Sequence, residues 1–208
     1  MMGTAGKGGT GAGAERFDEA YYRRFYGDQK TRVIDRQAVE RLGGFVAGYL
    51  GYLELPVRRV LDVGCGVGHW RHVIAGHFPR ASYTGVEYSA YLCERFGWQQ
   101  GSVVDYRARG RFDLVICQGV LQYLTDADAR AAILNLARLC RGALYLEALT
   151  REDWDEEVCD RDLTDGEVHL RRAGWYRRKL EEVGFEHAGG GVWLAEAAPC
   201  VLYHLERG

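Results

Sequence analysis

A short apolar segment followed by three alternating glycines is the strongest chemical signal in the sequence. The letters LDVGCGVG place Gly64, Gly66 and Gly68 between a predicted strand over residues 60–63 and a predicted helix over residues 67–77. Glycine permits a sharp turn and lets a ligand approach the backbone without meeting a Cβ atom. Open α/β sheets bind ligands at the carboxyl ends of their strands, so this turn is predicted to hold a ligand.

The spacing of the glycines discriminates between two classes of ligand. The dinucleotide fingerprint GxGxxG would place its third glycine at position 69, where the sequence has His69. Asp62 lies two residues before the first glycine, where a pyrophosphate would gain nothing from it. The ammonium group of an amino acid does need such an acceptor. The pattern therefore favours S-adenosylmethionine (SAM), a sulfonium amino acid, over a nicotinamide dinucleotide.

A second acidic residue ends the next apolar segment. In the letters GVEYS, Glu87 follows a predicted strand over residues 83–86 and lies 19 residues beyond Gly68. A carboxylate at this place can accept both hydroxyl groups of a ribose. The alternative is a structural role at the start of a helix, which Ser89 also serves. Together with the glycine turn, the spacing favours the ribose site.

The rest of the chain alternates short apolar runs with amphipathic stretches. Strands are predicted over residues 60–63, 83–86, 112–117 and 143–149, with a weak one within 98–104 and two more within 185–206. Helices are predicted over residues 33–53, 67–77, 89–95, 126–140 and 172–183, the fourth capped by Thr125 and stopped by Gly142. This alternation predicts an α/β fold with a doubly wound, mostly parallel sheet and helices on both faces. The absence of a helix between the final two strands indicates that the last strand is antiparallel.

Three motifs, LDVGCGVG, GVEYS and FDLVICQGVLQYL, resemble in order and spacing the class I SAM-dependent methyltransferase family. The resemblance covers residues 57–185 and includes the late letters EVGF. It implies a seven-stranded sheet whose last strand is antiparallel, and an N-terminal helical segment that covers the cofactor. Residues 1–14 are predicted to be a disordered Gly-rich tail, residues 15–55 the helical lid and residues 56–208 the Rossmann-like core of one domain.

The resemblance also implies roles for individual residues. The turn would lie beneath the methionine and ribose parts of SAM or of its product S-adenosylhomocysteine (SAH). Asp62 would lie near the amino group, Glu87 on the ribose hydroxyls, Tyr88 beside the adenine and Gln118 opposite the methionine part. The full set of predicted cofactor residues is Asp62, Gly64, Cys65, Gly66, Gly68, Glu87, Tyr88, Ser102, Val103 and Gln118.

One position departs from the family pattern. Where many members carry a Gly-Asp pair that reads the adenine amino group, this sequence has Gly101 and Ser102, and Asp105 lies a few residues later. Ser102 can still accept a hydrogen bond. The backbone N–H of Val103 can donate to an adenine ring nitrogen.

Residues on the acceptor side are harder to select, because a sulfonium methyl group is already activated and the protein mainly aligns the reactants. No compulsory catalytic triad is expected. Glu147 interrupts an apolar strand near its carboxyl end, where a carboxylate is costly unless paired or functional. Tyr123 and His169 are further substrate-side candidates, each with a structural role as the alternative. The residues predicted to cover the substrate are Tyr21, Tyr22, Tyr26 and Trp70.

Composition narrows the range of partners. The chain has 208 residues and a formal net charge of −2, so no basic excess points to nucleic acid or to an anionic membrane. No apolar stretch reaches the ~20 residues of a membrane helix, and the N-terminus lacks the apolar core of a signal peptide, so a cytoplasmic location is expected. The six cysteines form no CxxC pair and fit no common zinc site, so no metal is predicted.

The sequence therefore predicts an enzyme that transfers a methyl group from SAM to an O or N atom of a small-molecule acceptor. The alternatives are a methyltransferase acting on protein or RNA, a SAM-binding protein without transferase activity, and an NAD-dependent oxidoreductase. The identity of the acceptor and the oligomeric state stay open at this point.

Overall fold

The computed structural model describes Glu19, residues 36–159, Arg161, residues 167–204 and residues 206–207. The elements in chain order are α1 (Arg36–Tyr52), β1 (Arg59–Val63), α2 (His69–His77), β2 (Ser82–Glu87), α3 (Ala90–Phe96), β3 (Gln99–Gln100), β4 (Phe112–Gln118), a 3₁₀ turn (Leu121–Tyr123), α4 (Asp126–Leu139), β5 (Cys140–Glu147), α5 (Arg151–Asp155), α6 (Ala173–Glu181), β6 (Phe185–His187) and β7 (Val192–Ala195). The predicted tail over residues 1–14 and, apart from Glu19, residues 15–35 of the predicted helical lid lie outside the described residues.

The strands form one seven-stranded sheet with the order β3-β2-β1-β4-β5-β7-β6. β1 pairs in parallel with β2 and β4, and β4 pairs in parallel with β5. β7 runs antiparallel to both of its neighbours, β5 and β6. The predicted doubly wound sheet with an antiparallel last strand is therefore confirmed. The chain leaves β1 for β2 on one side and later returns to β4 on the other, so the crevice where open sheets bind ligands lies between β1 and β4.

Helices cover both faces of the sheet, as the strand sequences require. In β4, Leu114 and Ile116 pack with α1 and α2 on one face, whereas Val115 and Cys117 pack with α4 and α6 on the other. Every residue from Phe112 to Cys117 is buried. A strand covered on both faces reads as a continuous apolar run rather than as an alternation.

The helix α4 begins as predicted but ends differently. The Thr125 side chain accepts a hydrogen bond from the Asp128 N–H at 3.2 Å. Gly142, expected just beyond the helix as its stop, instead lies inside β5, which begins directly at Cys140. A Cβ atom at Gly142 would lie 2.3 Å from the Asp113 carbonyl oxygen, so glycine permits the close approach of β4 and β5. The prediction of a helix-stop glycine was wrong because a long-range contact determines this residue.

Two further elements differ from the sequence prediction. The weak third strand is reduced to the two residues of β3, at the edge of the sheet. The short helix α5 was not predicted, although Thr150 and Asp153 form a complete capping box at its start. None of the helices in the described ranges is long and apolar enough to cross a membrane.

Candidate cofactor and acceptor site

The glycine turn after β1 is tied to β2 and open at its centre. The N–H groups of Gly64 and Cys65 donate to the Val86 carbonyl oxygen at 2.8 and 3.2 Å. Gly66 has a φ angle of +53°, and a Cβ atom added there would meet no atom of a described residue within 4 Å. A Cβ on Gly68 would instead lie 2.6 Å from the Trp98 ring. Gly66 therefore faces open space that a ligand can fill, whereas Gly68 permits close internal packing.

Glu87 is buried and holds this turn in place. It is 5% exposed, and its Oε2 accepts a hydrogen bond from the Gly66 N–H at 2.8 Å. Its Oε1 accepts from the N–H groups of Tyr88 and Ser89 at 2.8 and 3.0 Å. A carboxylate offers about four acceptor sites, so acceptor capacity remains for a ligand hydroxyl. Glu87 thus combines the structural role considered as the alternative with a position suited to the predicted ribose contact.

Asp62 has an internal partner that the sequence did not indicate. The Tyr83 hydroxyl donates to Asp62 Oδ2 at 2.5 Å, and Asp62 is only 2% exposed. Burial raises the pKa of Asp62 to about 7, against the lowering effect of the Tyr83 hydrogen bond, and the nearby Glu87 raises it further. The expected contact between Asp62 and a ligand ammonium group stays a prediction.

Trp98 packs against the glycine turn and holds it by a hydrogen bond, a role that was not predicted from the sequence. Its Nε1 donates to the Gly66 carbonyl oxygen at 2.9 Å. A Cβ atom at Gly85 would lie 2.6 Å from the Trp98 ring and 3.0 Å from Cys65 Sγ. Cys65 is itself buried, so its side chain packs against β2. Nothing in the spacing around Trp98 indicates this role, because it depends on the approach of β3 to the turn.

Of the predicted adenine residues, Ser102 and Val103 lie in the turn after β3, whereas Tyr88 follows β2. Ser102 Oγ accepts a hydrogen bond from the Val104 N–H at 3.2 Å, and Tyr88 is half-buried directly after Glu87. The Val103 carbonyl oxygen accepts from Asn135 Nδ2 at 2.9 Å, whereas within the described ranges the Val103 N–H has no acceptor. A donor in that position is available to an adenine ring nitrogen.

The ends of β4 and β5 carry the residues predicted to lie on the acceptor side. Trp70 Nε1 donates to Gln118 Oε1 at 2.7 Å, and Gln118 Nε2 donates to Glu147 Oε2 at 3.0 Å. The Tyr145 hydroxyl also donates to Glu147 Oε2, at 2.9 Å. Trp70 was expected to cover the substrate, but it is only 4% exposed and packs inside the fold. Its indole N–H instead connects α2, the helix after the glycine turn, to Gln118.

The turn after β4 contains a buried amide that the sequence did not single out. Gln122 is 8% exposed, and its Oε1 has no hydrogen-bond partner among the described residues. The His169 N–H donates to the Gln122 carbonyl oxygen at 2.7 Å. The His169 imidazole is exposed and makes no hydrogen bond to a described residue. Tyr123 is half-buried in the same turn, so the backbone brings these candidates to one edge.

Arg171 fixes this turn from below. It is 6% exposed, and its Nη1 donates to the Leu121 carbonyl oxygen at 3.0 Å. Its Nη2 donates to the Leu124 carbonyl oxygen, and its Nε pairs with Asp126 at 2.8 Å.

The other three residues predicted to cover the substrate, Tyr21, Tyr22 and Tyr26, lie outside the described residues. No group of three His, Cys, Asp or Glu residues that could hold a metal ion occurs in the described part of the chain.

Comparison with known proteins agrees with this geometry. Residues 61–142 match a family model described as a methyltransferase domain. The fold is similar to that of magnesium protoporphyrin IX methyltransferase from Synechocystis, crystallised with SAH, with a TM-score of 0.65 and 20% identity over 88% of this chain and 97% of the other. The central part of the chain is therefore similar to a methyltransferase domain. The matched segment runs from β1 into β5 and so includes the glycine turn, Glu87, Gln118 and Gln122.

Two curated methyltransferases have a higher sequence identity to this chain over shorter stretches. A malonyl-[acyl-carrier protein] O-methyltransferase from Legionella pneumophila is 27% identical over 142 residues, which are 63% of this chain and 49% of the relative. A trans-aconitate 2-methyltransferase from Deinococcus radiodurans is 32% identical over 81 residues, which are 35% of this chain and 31% of the relative. The chain thus spans about half or less of the length of these two methyltransferases.

Proposed function

We propose that this protein transfers a methyl group from SAM to an O or N atom of a small-molecule acceptor. The observation that carries the proposal is the open turn at Gly66, held by the buried carboxylate of Glu87 at the crevice between β1 and β4. This is the place where an open sheet binds its ligand. The family match over the same residues supports SAM as that ligand.

The residues around the turn fit the parts of SAM. The space above Gly66 can take the part of SAM where methionine meets ribose, because no side-chain atom of a described residue fills it. Glu87 retains acceptor capacity for a ribose hydroxyl, and the Val103 N–H is available to the adenine. Gln118, at the end of β4, is proposed to face the methionine part. Asp62, just before the glycine turn, is proposed to accept a hydrogen bond from the amino group of SAM.

The role of the protein in such a reaction is mainly alignment. SAM supplies a methyl group that is already activated by its bond to a positively charged sulfur. The chain has to bind the cofactor by the turn, hold the acceptor at the ends of β4 and β5, and exclude water between them. Holding two reactants in line can contribute about 7–11 kcal/mol of the barrier, which explains why no catalytic triad is required.

The proposal of a small acceptor has two supports. The chain carries a net charge of −2 and so lacks the basic excess that nucleic-acid binding requires. The names of the relatives refer to trans-aconitate and to a malonyl group on a carrier protein.

The deciding test is isothermal titration of the purified protein with SAM, with SAH and, as a control, with NAD. We expect SAM and SAH to bind with a Kd in the range of about 1 μM to 1 mM, the range usual for enzyme substrates, and NAD not to bind. A folded sample that binds NAD, or that binds neither SAM nor SAH, would contradict the assignment of the turn.

A further inference from the structure

The ends of β4 and β5 carry a chain of side-chain hydrogen bonds that ends on one carboxylate. It runs from the buried indole of Trp70 through the Gln118 amide to Glu147 Oε2. The Tyr145 hydroxyl donates to the same Oε2 at 2.9 Å. Glu147 is exposed, so the chain begins inside the fold and ends at the surface of the crevice.

The two donors fix Glu147 through one of its oxygens. Tyr145 is 3% exposed, and its ring centre lies 5.4 Å from that of Trp70. On another side, a Cβ atom at Gly191 would lie only 3.0 Å from the Tyr145 ring, so the ring has little room to turn. In the described part of the chain, no hydrogen bond or ion pair reaches Glu147 Oε1. This second oxygen is available to accept a hydrogen bond from a ligand.

Gln122 provides an independent observation at the same edge. Its amide oxygen is buried and has no partner in the described ranges, and a buried polar atom in that state costs about 1–3 kcal/mol. Gly119 joins the two residues: a Cβ on Gly119 would lie 3.7 Å from Gln122 Nε2, and the Gly119 N–H donates to the Glu147 backbone carbonyl oxygen at 2.9 Å. The Gln122 oxygen therefore lacks a hydrogen-bond donor, and the exposed Glu147 Oε1 can accept one from a ligand.

The order of the strands assigns this pair to the acceptor rather than to SAM. The glycine turn and Glu87 follow β1 and β2, whereas Gln122 and Glu147 follow β4 and β5, on the opposite side of the crevice. A ligand bound there would lie on the β4–β5 side of the crevice, across from the glycine turn and Glu87.

We propose that Glu147 and Gln122 select an acceptor whose reacting atom carries a hydrogen, namely an amine or a hydroxyl group, and that Glu147 removes that hydrogen as a proton. This inference rests on the proposed methyl transfer. The acceptor lone pair forms the bond to the methyl carbon, the electron pair of the breaking carbon–sulfur bond returns to sulfur, and the N–H or O–H proton moves to Glu147 Oε1. A carboxylate acceptor has no proton to give and is repelled by the charge of Glu147.

The test uses the full chain, tritium-labelled SAM and four probes: 2-phenylethylamine, catechol, 3-phenylpropionate and trans-aconitate. Mild base releases methanol from methyl esters but not from methylated amines or methyl ethers, so it identifies the class of product. We expect base-stable label in 2-phenylethylamine or in catechol, at least 10-fold above that in either carboxylate. Base-labile label on a carboxylate, or no label in any probe from protein that binds SAH, would overturn the inference.

The variant Glu147→Gln keeps the shape of the side chain and removes the base. Its transfer rate should fall by about 100-fold or more, the lower range for loss of a general base, while its Kd for SAH stays within twofold. Glu181→Gln, an exposed change on α6, is the matched control and should keep the wild-type rate. An unchanged rate in Glu147→Gln overturns the inference but leaves methyl transfer intact. Loss of SAH binding by the wild-type protein would instead refute the proposed function.

Discussion

The two sides of the crevice satisfy their polar groups in different ways. On the β1–β2 side, the Glu87 carboxylate accepts three backbone N–H groups, and the Asp62 carboxylate accepts the Tyr83 hydroxyl. On the β4–β5 side, Glu147 is exposed with one oxygen without a partner in the described residues, and Gln122 has a buried oxygen in the same state.

This difference suits the two proposed tasks of the site, which are to bind the cofactor and to select the methyl acceptor. A turn whose carboxylate is already satisfied by its own backbone is formed before the ligand arrives, which reduces the ordering cost of binding. Under the inference above, the buried Gln122 oxygen gains its missing hydrogen bond only when the correct acceptor binds. Such a site rejects an analogue that lacks the donor, because the buried oxygen then stays unpaired. The β1–β2 side is therefore suited to the cofactor and the β4–β5 side to specificity.

The largest expected effect comes from filling the open turn. Gly66→Arg places a long side chain in the space above the turn, so SAH binding should become undetectable by isothermal titration. The matched control is Gly189→Arg, because Gly189 also has a positive φ angle, +85°, and no atom within 4 Å of an added Cβ. The control should carry a comparable backbone strain and bind SAH with the wild-type Kd. Retained binding in Gly66→Arg would break the assignment of the β1–β2 side to the cofactor.

Local signals were sufficient to predict most of the fold. The apolar run over residues 112–117 gave β4 within one residue of its observed range, because burial on both faces leaves a continuous apolar segment. The cap at Thr125 was likewise visible in the sequence. The prediction for Gly142 was wrong because a side chain there would collide with the Asp113 carbonyl oxygen on the neighbouring strand. The register between two strands cannot be predicted from the sequence of either strand alone.

The same limit applies to the candidate site. The glycine turn and Glu87 lie within 24 residues of one another in the sequence, so their spacing alone brings them together. The partner of Asp62 depends on register: Asp62 pairs with Gly85 on the neighbouring strand, which places Tyr83 as its diagonal neighbour. The chain from Trp70 to Glu147 joins residues up to 77 positions apart, and no local pattern indicates it.

The next effect concerns the pH dependence of stability on the β1–β2 side. Burial raises the pKa of Asp62 to about 7 from an ordinary value of 3.8, so the folded protein holds a proton that the unfolded chain loses. This contribution to stability is complete below about pH 4 and is lost as the pH rises through about 7. Asp62→Asn, which keeps an oxygen for the Tyr83 hydroxyl, should be more stable than the wild type at pH 8, by up to about 4 kcal/mol.

Urea unfolding of Asp62→Asn between pH 5 and pH 8 measures this difference, with Asp113→Asn as a control of opposite sign. Burial alone would raise the pKa of Asp113, but hydrogen bonds from Arg141 and from the N–H groups of Arg58 and Arg59 lower it overall. Its contribution is present above the unfolded pKa and lost in acid, so Asp113→Asn should destabilise the protein at pH 8. If Asp62→Asn and the wild type had equal free energies of unfolding at pH 8, ionisation of the buried Asp62 would not destabilise the fold, and the prediction would be wrong.

The smallest effect sharpens the comparison on the β4–β5 side. Tyr145→Phe removes one of the two donors that fix Glu147, so the free energy of unfolding should fall by about 0.5–1.5 kcal/mol and the transfer rate by several-fold, with no change in the Kd for SAH. Tyr49→Phe also removes a hydroxyl hydrogen bond, the 2.9 Å contact to the Ala188 carbonyl oxygen, and should lose similar stability without losing rate. If both variants transfer methyl groups equally well, Tyr145 only packs the fold. A weaker Kd for SAH in Tyr145→Phe would mean that the two sides of the crevice are coupled through Trp70.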